Sequence, residues 1–256
     1  MKIKHFVITR FLTRDDLGYG DRIFDDDVIA ESVEYVKKYF IPSLENQTNK
    51  NFEIVFLVND KHDTEESNIR LLKELDTCFK CHVVKKSDLA GFVKNESSGY
   101  DRLITTRMDY DDLVYSGAAQ EIQGLAERSK EVVFTYGYNN GTLKRGKQIC
   151  KYNPKYGNGY FSVFLSLVID LKTMPSADVY ELGDHTNVRK TLKDLCRKNK
   201  VAYSDAFFKR SAENQYYFVW VRHENTASSL MKYPKENAYN EETDVKDFKE
   251  RFGIEP

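Results

Sequence analysis

Four cysteines in 256 residues are too few for a disulfide scaffold, so the fold must be held by its apolar core. Cys78 and Cys81 form a C-x-x-C pair, which is half of a common zinc arrangement. Tetrahedral zinc usually takes four ligands, and no second pair follows at ribbon spacing. His82 would leave a strand on the face opposite Cys81. A helix-to-strand turn is the plainer reading, in a reducing, cytoplasmic compartment. Charge of one sign is also lacking. Lys and Arg number 39 and Asp and Glu 40, a formal net charge of −1, so no basic field argues for nucleic acid. No run of about 20 apolar residues is present to cross a membrane. The best run, Tyr160 to Leu171, is broken by Ser162, Ser166 and Asp170 and reads as a buried strand. Near the start, Phe6 to Ile8 is too short for a secretory signal. There is no internal repeat and no Gly/Ser-rich linker. Tryptophan occurs once, against 17 Tyr and 16 Phe, and these aromatics are expected mainly to fill core and sheet faces.

What is there is an alternation. Lys4 to Arg10 is rich in β-formers and predicts a first strand. A polar loop, Asp15 to Asp27, follows. Ile29, Val33, Val36, Phe40 and Leu44 then recur at helical steps. Asp25, Asp26 and Asp27 precede that helix, where carboxylates suit its dipole and can cap its free N–H groups. Phe52 to Val58 is a nearly continuous apolar run, as in a parallel sheet buried on both faces. Ile69, Leu72, Leu75 and Phe79 predict a second helix, Cys81 to Val84 a short strand and Asp101 to Thr106 another. Leu113 to Arg128 reads as helix and Val132 to Tyr136 as strand. Asn140-Gly141 predicts a hairpin turn, Thr186 to Asn199 a helix and Tyr216 to Arg222 a late strand. Strand–helix alternation implies a mixed, mainly parallel sheet flanked by helices. The expected organisation is one domain over residues 1–232, with 233–256 a tail or short helix.

Ligands of such sheets bind beyond the carboxyl ends of the strands, and Arg10, Asp60 and Asp109 all fall at predicted strand ends. The segment Thr105-Thr106-Arg107-Met108-Asp109-Tyr110-Asp111-Asp112 delivers three carboxylates onto one turn. Such crowding is unfavourable unless a cation neutralises it. Mg²⁺ or Mn²⁺ takes hard oxygen ligands from one or two carboxylates together with phosphate oxygens and waters. A D-x-D turn therefore fits a metal–diphosphate bridge. The bland alternative is a solvated acidic turn that caps the next helix.

Four blocks carry a resemblance: His5 to Phe11 (HFVITRF); Pro42-Ser43-Leu44 with Gln47-Thr48 and Phe52; Ile104 to Asp112 (ITTRMDYDD); and Val221 to Ser228 (VRHENTAS). In these the chain resembles a rhamnosyltransferase family that is similar to the GT-A group of glycosyltransferases, with a Rossmann-like fold. The Asp15 to Asp27 loop lacks the Trp that this family often carries on its acceptor side. The resemblance implies a nucleotide-sugar donor, Mn²⁺ or Mg²⁺, and a glycan or lipid-linked glycan acceptor. The last is compatible with peripheral association at the inner membrane face, though no clear amphipathic basic helix supports it. Asp111 would hold the metal, Asp109 the metal or ribose, and Asp112 would orient the turn. Arg107 would meet phosphate or hold Asp109. Thr9, Arg10 and Asp60 would line the nucleotide pocket. His223 would complete the metal site and Asn225 would touch phosphate. The base that takes the acceptor proton is expected among Asp184, Glu181 and His185, and a single inverting displacement is implied. A nucleotidyltransferase and a non-catalytic carbohydrate-binding protein on the same scaffold are the competing readings.

Overall fold

The computed structural model describes residues 1–13, 23–62, 69, 72, 75–138, 141–145, 148–152, 164–183, 187–211, 217–222 and 248–254; for 141–145, 148–152, Trp220 and Arg222 only the backbone is described. The apolar runs become buried strands. β1 (Ile3–Arg10), β2 (Glu53–Val58), β3 (Cys81–Lys85) and β4 (Arg102–Arg107) are all parallel, in the order β3-β2-β1-β4. Phe6, Val7, Ile8, Ile54, Val55, Phe56, Leu103 and Ile104 are fully buried. Each such side chain contributes about 1.5–3 kcal/mol of burial.

The sheet continues beyond β4 with a reversal. β9 (Leu165–Asp170) lies antiparallel between β4 and β6 (Val133–Gly137), and β10 (Phe208–Arg210) completes seven strands beside β6. A smaller sheet has the order β5-β11-β7-β8. It comprises β5 (Leu113–Val114), β7 (Gly141–Arg145), β8 (Gln148–Tyr152) and β11 (Phe218–Arg222).

Helix α1 (Asp26–Tyr35) runs through a π-helical turn, Val36–Phe40, into α2 (Ile41–Glu45). Pro42 lacks the N–H that a regular ladder would use here, and wider turns gather at such interruptions. Ile29, Val33, Val36, Phe40 and Leu44 all face the core, as their spacing predicts. Asp25 is the N-cap but makes no side-chain cap hydrogen bond, while Asp26 and Asp27 stand in the first turn, where the dipole favours them. Helix α3 (Leu89–Glu96) has no counterpart in the sequence reading. α4 (Ala118–Arg128) and α5 (Val188–Lys198) follow.

Two expectations change. Leu113 and Val114 do not begin the helix. They pair antiparallel with Val219 and Phe218, because two apolar residues with β propensity find a strand partner. Gly141 is not the hairpin turn but opens β7, and the β7–β8 register ends at Arg145↔Gln148, so the connection falls at 146–147. The expected helix around Ile69 to Phe79 lies partly outside the described residues, and 75–79, which are described, are not helical; Ile69, Leu72 and Phe79 are nevertheless buried. Residues 160–163 of the expected long strand also lie outside. The chain is helical again at 248–252. Phe248 and Phe252 pack there on Tyr39, Leu113, Val219 and Val221. No helix among the described residues is long and apolar enough to cross a membrane.

Candidate functional site

β1 and β4 are adjacent and parallel, with Ile8 level with Arg107. Two residues further along, Arg10 and Asp109 come level at the carboxyl rim of the sheet. Their side chains meet: Arg10 Nη2 donates to both oxygens of Asp109, at 3.0 and 3.2 Å, and Nε to Oδ1 at 3.3 Å. The pair is partly exposed, with side chains 30% and 40% accessible. The Asp109 charge raises the guanidinium pKa above its ordinary value, against the opposing effect of burial. Arg10 is therefore a fixed cation at the rim.

The three carboxylates of the acidic turn divide their roles. Asp112 is 1% exposed and accepts a hydrogen bond from the Val221 N–H at 3.1 Å. Burial, followed by the charges of Asp111 and Asp109, pushes its pKa well up. It ties the turn to strand β11 of the second sheet. Asp109 holds Arg10. Asp111 is half-buried between them. Asp109, Asp111 and Asp112 do not bring even one oxygen each within 4.8 Å of one another. Among the described residues, the one group of potential ligands that does so is Glu53, His82 and Glu96, at the other end of the sheet. Tyr110 anchors the turn from within, its ring 5.4 Å from Phe11 and its hydroxyl 3.4 Å from Ser32 Oγ.

Ser43, Gln47 and Thr48 brace the chain just after the turn. The Ser43 hydroxyl accepts from the Val114 N–H at 2.9 Å and donates to the Val114 carbonyl at 3.2 Å. The Gln47 amide donates to the Tyr115 carbonyl and accepts from the Ala119 N–H. The Thr48 N–H donates to the Ser116 carbonyl at 2.8 Å. The second sequence block is thus a clamp on the segment that follows the third.

Residues 178–183 cover the flank of β4. Asp178 accepts from the Tyr180 N–H at 2.8 Å, and its burial raises its pKa to about 6. The Val179 N–H donates to Thr105 Oγ1, and Arg107 Nη1 donates to the Gly183 carbonyl at 2.9 Å. These bonds bring Tyr180 to the Arg10–Asp109 pair, with its hydroxyl donating to the Ile8 carbonyl at 3.4 Å. Its pKa is raised by burial, while the charge of Arg10 pulls it the other way. Sequence reasoning missed Tyr180, one tyrosine among 17 and 70 residues from the turn it serves.

The other expected residues fall as follows. Thr9 is wholly buried, and its hydroxyl has no hydrogen-bond partner. Asp60 is exposed at the end of β2 and accepts from the Ser87 N–H at 2.8 Å. Glu181 pairs with Lys198 at 2.7 Å. Asp184, His185, His223 and Asn225 lie outside the described residues. Asp109 and Asp111 present the hard carboxylate oxygens that Mn²⁺ and Mg²⁺ prefer, with Asp109 bonded to Arg10 and Asp111 adding to the negative field at that guanidinium.

No family model matches the sequence, and a search of curated proteins finds no match. Among solved structures the fold is similar to TarS residues 1–349 from S. aureus in complex with UDP-GlcNAc. The TM-score is 0.48 at 12% identity, over 91% of this chain and 62% of that one. It is also similar to a protein described as a nucleotide-diphospho-sugar transferase from Desulfovibrio desulfuricans G20, with TM-score 0.42, 9% identity and 83% of each chain covered. A third, described as a glucose-1-phosphate thymidylyltransferase from Bacillus anthracis in complex with a sucrose, has TM-score 0.40 and 12% identity. It covers 82% of this chain and 86% of that one. The chain spans about three fifths of the TarS 1–349 chain. Likeness at this level is too low to carry an activity across.

Proposed function

We propose that this chain is a glycosyltransferase that moves a sugar from a metal-bound nucleotide-sugar to a hydroxyl of a glycan or lipid-linked glycan. The motif resemblance points to rhamnose and to the GT-A group. One observation carries the reading: Arg10 and Asp109 lock together at the carboxyl ends of two neighbouring parallel strands, with Asp111 beside them. Open α/β sheets bind ligands at that rim.

Asp111 would hold Mn²⁺ or Mg²⁺ there, with Asp109 beside it and His223 as the expected late ligand. The ion would supply Lewis-acid stabilisation of the departing diphosphate. The protein's own part is preorganisation. Asp109 fixes the Arg10 guanidinium, so its remaining N–H groups face a diphosphate without rearranging. The Gly183 carbonyl holds Arg107, and the Tyr180 ring packs near both arginines, its hydroxyl donating to the Ile8 carbonyl. Asp112 spends its carboxylate on alignment. Gly183 is fixed directly before Asp184, the first choice for the base, with Glu181 and His185 as alternatives. Glu181 must first leave Lys198. Attack by the deprotonating hydroxyl on the anomeric carbon would invert it in one displacement.

Release of nucleoside diphosphate from a panel of nucleotide-sugars with Mn²⁺ tests this. The Asp111→Asn variant is expected to lose at least about a hundredfold in turnover, in line with removal of a main electrostatic group. Its melting temperature should be unchanged. Full turnover in that variant removes the metal assignment. Wild-type protein that neither turns over nor binds any nucleotide favours a non-catalytic carbohydrate-binding protein instead.

A further inference from the structure

At the opposite end of the sheet, three potential ligands converge from three elements. Glu53 opens β2, His82 lies in β3 and Glu96 ends α3; their ligand atoms all lie within 4.8 Å of one another, half-buried. Each is already oriented. Glu53 Oε1 is held by Lys4 Nζ at 2.5 Å, which leaves Oε2 facing His82 Nε2 at 2.7 Å. The His82 ring is set edge-on against Phe92 at 4.9 Å and Phe6 at 6.3 Å. Glu96 stands at a helix carboxyl end, where the dipole disfavours a negative charge and a neighbouring cation is welcome.

A cation already sits there. Lys80 Nζ spans Glu53 Oε2 at 3.6 Å and Glu96 Oε2 at 3.5 Å. Both distances are longer than a tight ion pair, and the Lys80 side chain is 60% exposed, free to swing into water. Zinc bonds of about 2.0–2.2 Å place neighbouring ligand atoms roughly 3.3 Å apart, so the Glu53–His82 pair at 2.7 Å opens slightly to admit an ion while flexible Glu96 adjusts to it.

We propose that Glu53, His82 and Glu96 form a binding site for a divalent first-row metal ion, with Zn²⁺ as its probe. One imidazole nitrogen and two carboxylates, with a water in the fourth position, match the nitrogen and oxygen donors of such ions. The ion exchanges with the Lys80 ammonium. To bind the metal, His82 gives up the Nε2 proton that it donates to Glu53 Oε2, by a shift to the Nδ1 tautomer or by release to water, while Lys4 remains on Glu53 Oε1 as an orienting partner. The bound ion would pin the edge strand β3 to β2 and α3. The site is separate from the rim, because Glu53 is level with Phe6, four residues short of Arg10, or roughly 13 Å along the strands.

Calorimetric titration of the metal-free full chain with Zn²⁺ decides it, with Cys78→Ser/Cys81→Ser as the background so that the C-x-x-C thiols do not compete. One micromolar-range site is expected. His82→Phe and Glu96→Gln should each weaken it about tenfold or more, as ligand loss does. Lys80→Met should tighten it several-fold by removing the internal competitor. Asp111→Asn should leave it unchanged, so this result stands apart from that of the rim. Circular dichroism confirms that each variant is folded. The proposal is overturned if neither the parent nor Lys80→Met binds Zn²⁺ below about 1 mM. It is equally overturned if binding is indifferent to His82 and Glu96, or is lost with the two cysteines alone.

Discussion

Buried at 2% exposure, the His5 imidazole sits in a chain of polar contacts that fixes its tautomer. Gln123 Nε2, an amide that only donates, lies 3.1 Å from Nδ1 and also donates to the Asn51 carbonyl at 2.9 Å. Nδ1 is therefore the acceptor. Nε2–H then donates to Thr106 Oγ1 at 2.9 Å, which lies 2.8 Å from Ser166 Oγ. Burial lowers the His5 pKa to about 3. The unfolded chain takes up the proton near pH 6.5 and the folded chain resists it, so acid favours unfolding between those values. The loss approaches about 1.4 kcal/mol per pH unit at most. His5→Gln should show a shallower fall in denaturant-derived stability from pH 6.5 to 4 than the parent, and equal slopes would exclude the effect. Residue identities at the rim were legible in the same limited sense. The acidic turn and Arg10 stood out by charge and position. Their mutual pairing did not, since 99 residues separate them and no local pattern encodes which carboxylate a distant cation takes.

Elements were more legible where one residue pattern has one solution. The apolar runs of β1, β2 and β4 and the helical spacing of α1 are of that kind. Short elements were not. β5 is two residues long and exists because β11 offers it a partner. α3 carries Gly91 mid-helix and gave no clean period. The strap over β4 depends on Gly183, whose φ of 63° and ψ of −138° suit a residue without Cβ. Open space surrounds that Cβ position apart from Thr191 Cγ2 at 3.9 Å, so the cost of Gly183→Ala is backbone strain, not collision. That variant should lose about 1–3 kcal/mol or shift the carbonyl that Arg107 holds. Melting temperature reads the first outcome. On the proposed function, donor KM rising with little change in kcat reads the second. Wild-type values of both would show the strap to be dispensable.

For the whole molecule, alternation announced a mainly parallel α/β sheet, and the topology agrees. The antiparallel insertion of β9 and the second sheet were hidden, because strand direction and partner choice follow from long-range packing. The helical segment at 248–252 shows the same dependence. Phe252 joins Leu113, Val219 and Val221, and the Arg251 carbonyl accepts from the Ser116 N–H at 2.8 Å. Phe252→Ala should cost about 3 kcal/mol or more if the cluster cannot collapse around the gap. It should also loosen hydrogen exchange at Val114 and Val219, while β1 and β2 amides stay protected to the extent that they open separately. Uniform loss of protection across both sheets would mean that they unfold as one unit.

Asp112 waits 109 positions for the backbone amide that receives it. A ribosome emitting this chain releases the acidic turn among strands that can already assemble, and delivers its counterpart on β11 only 109 positions later. Until then that carboxylate has no β11 amide to enter and the turn lacks its tether to the second sheet. Competence at the rim would thus wait on the emergence of β11, a step that chains stalled before it never reach.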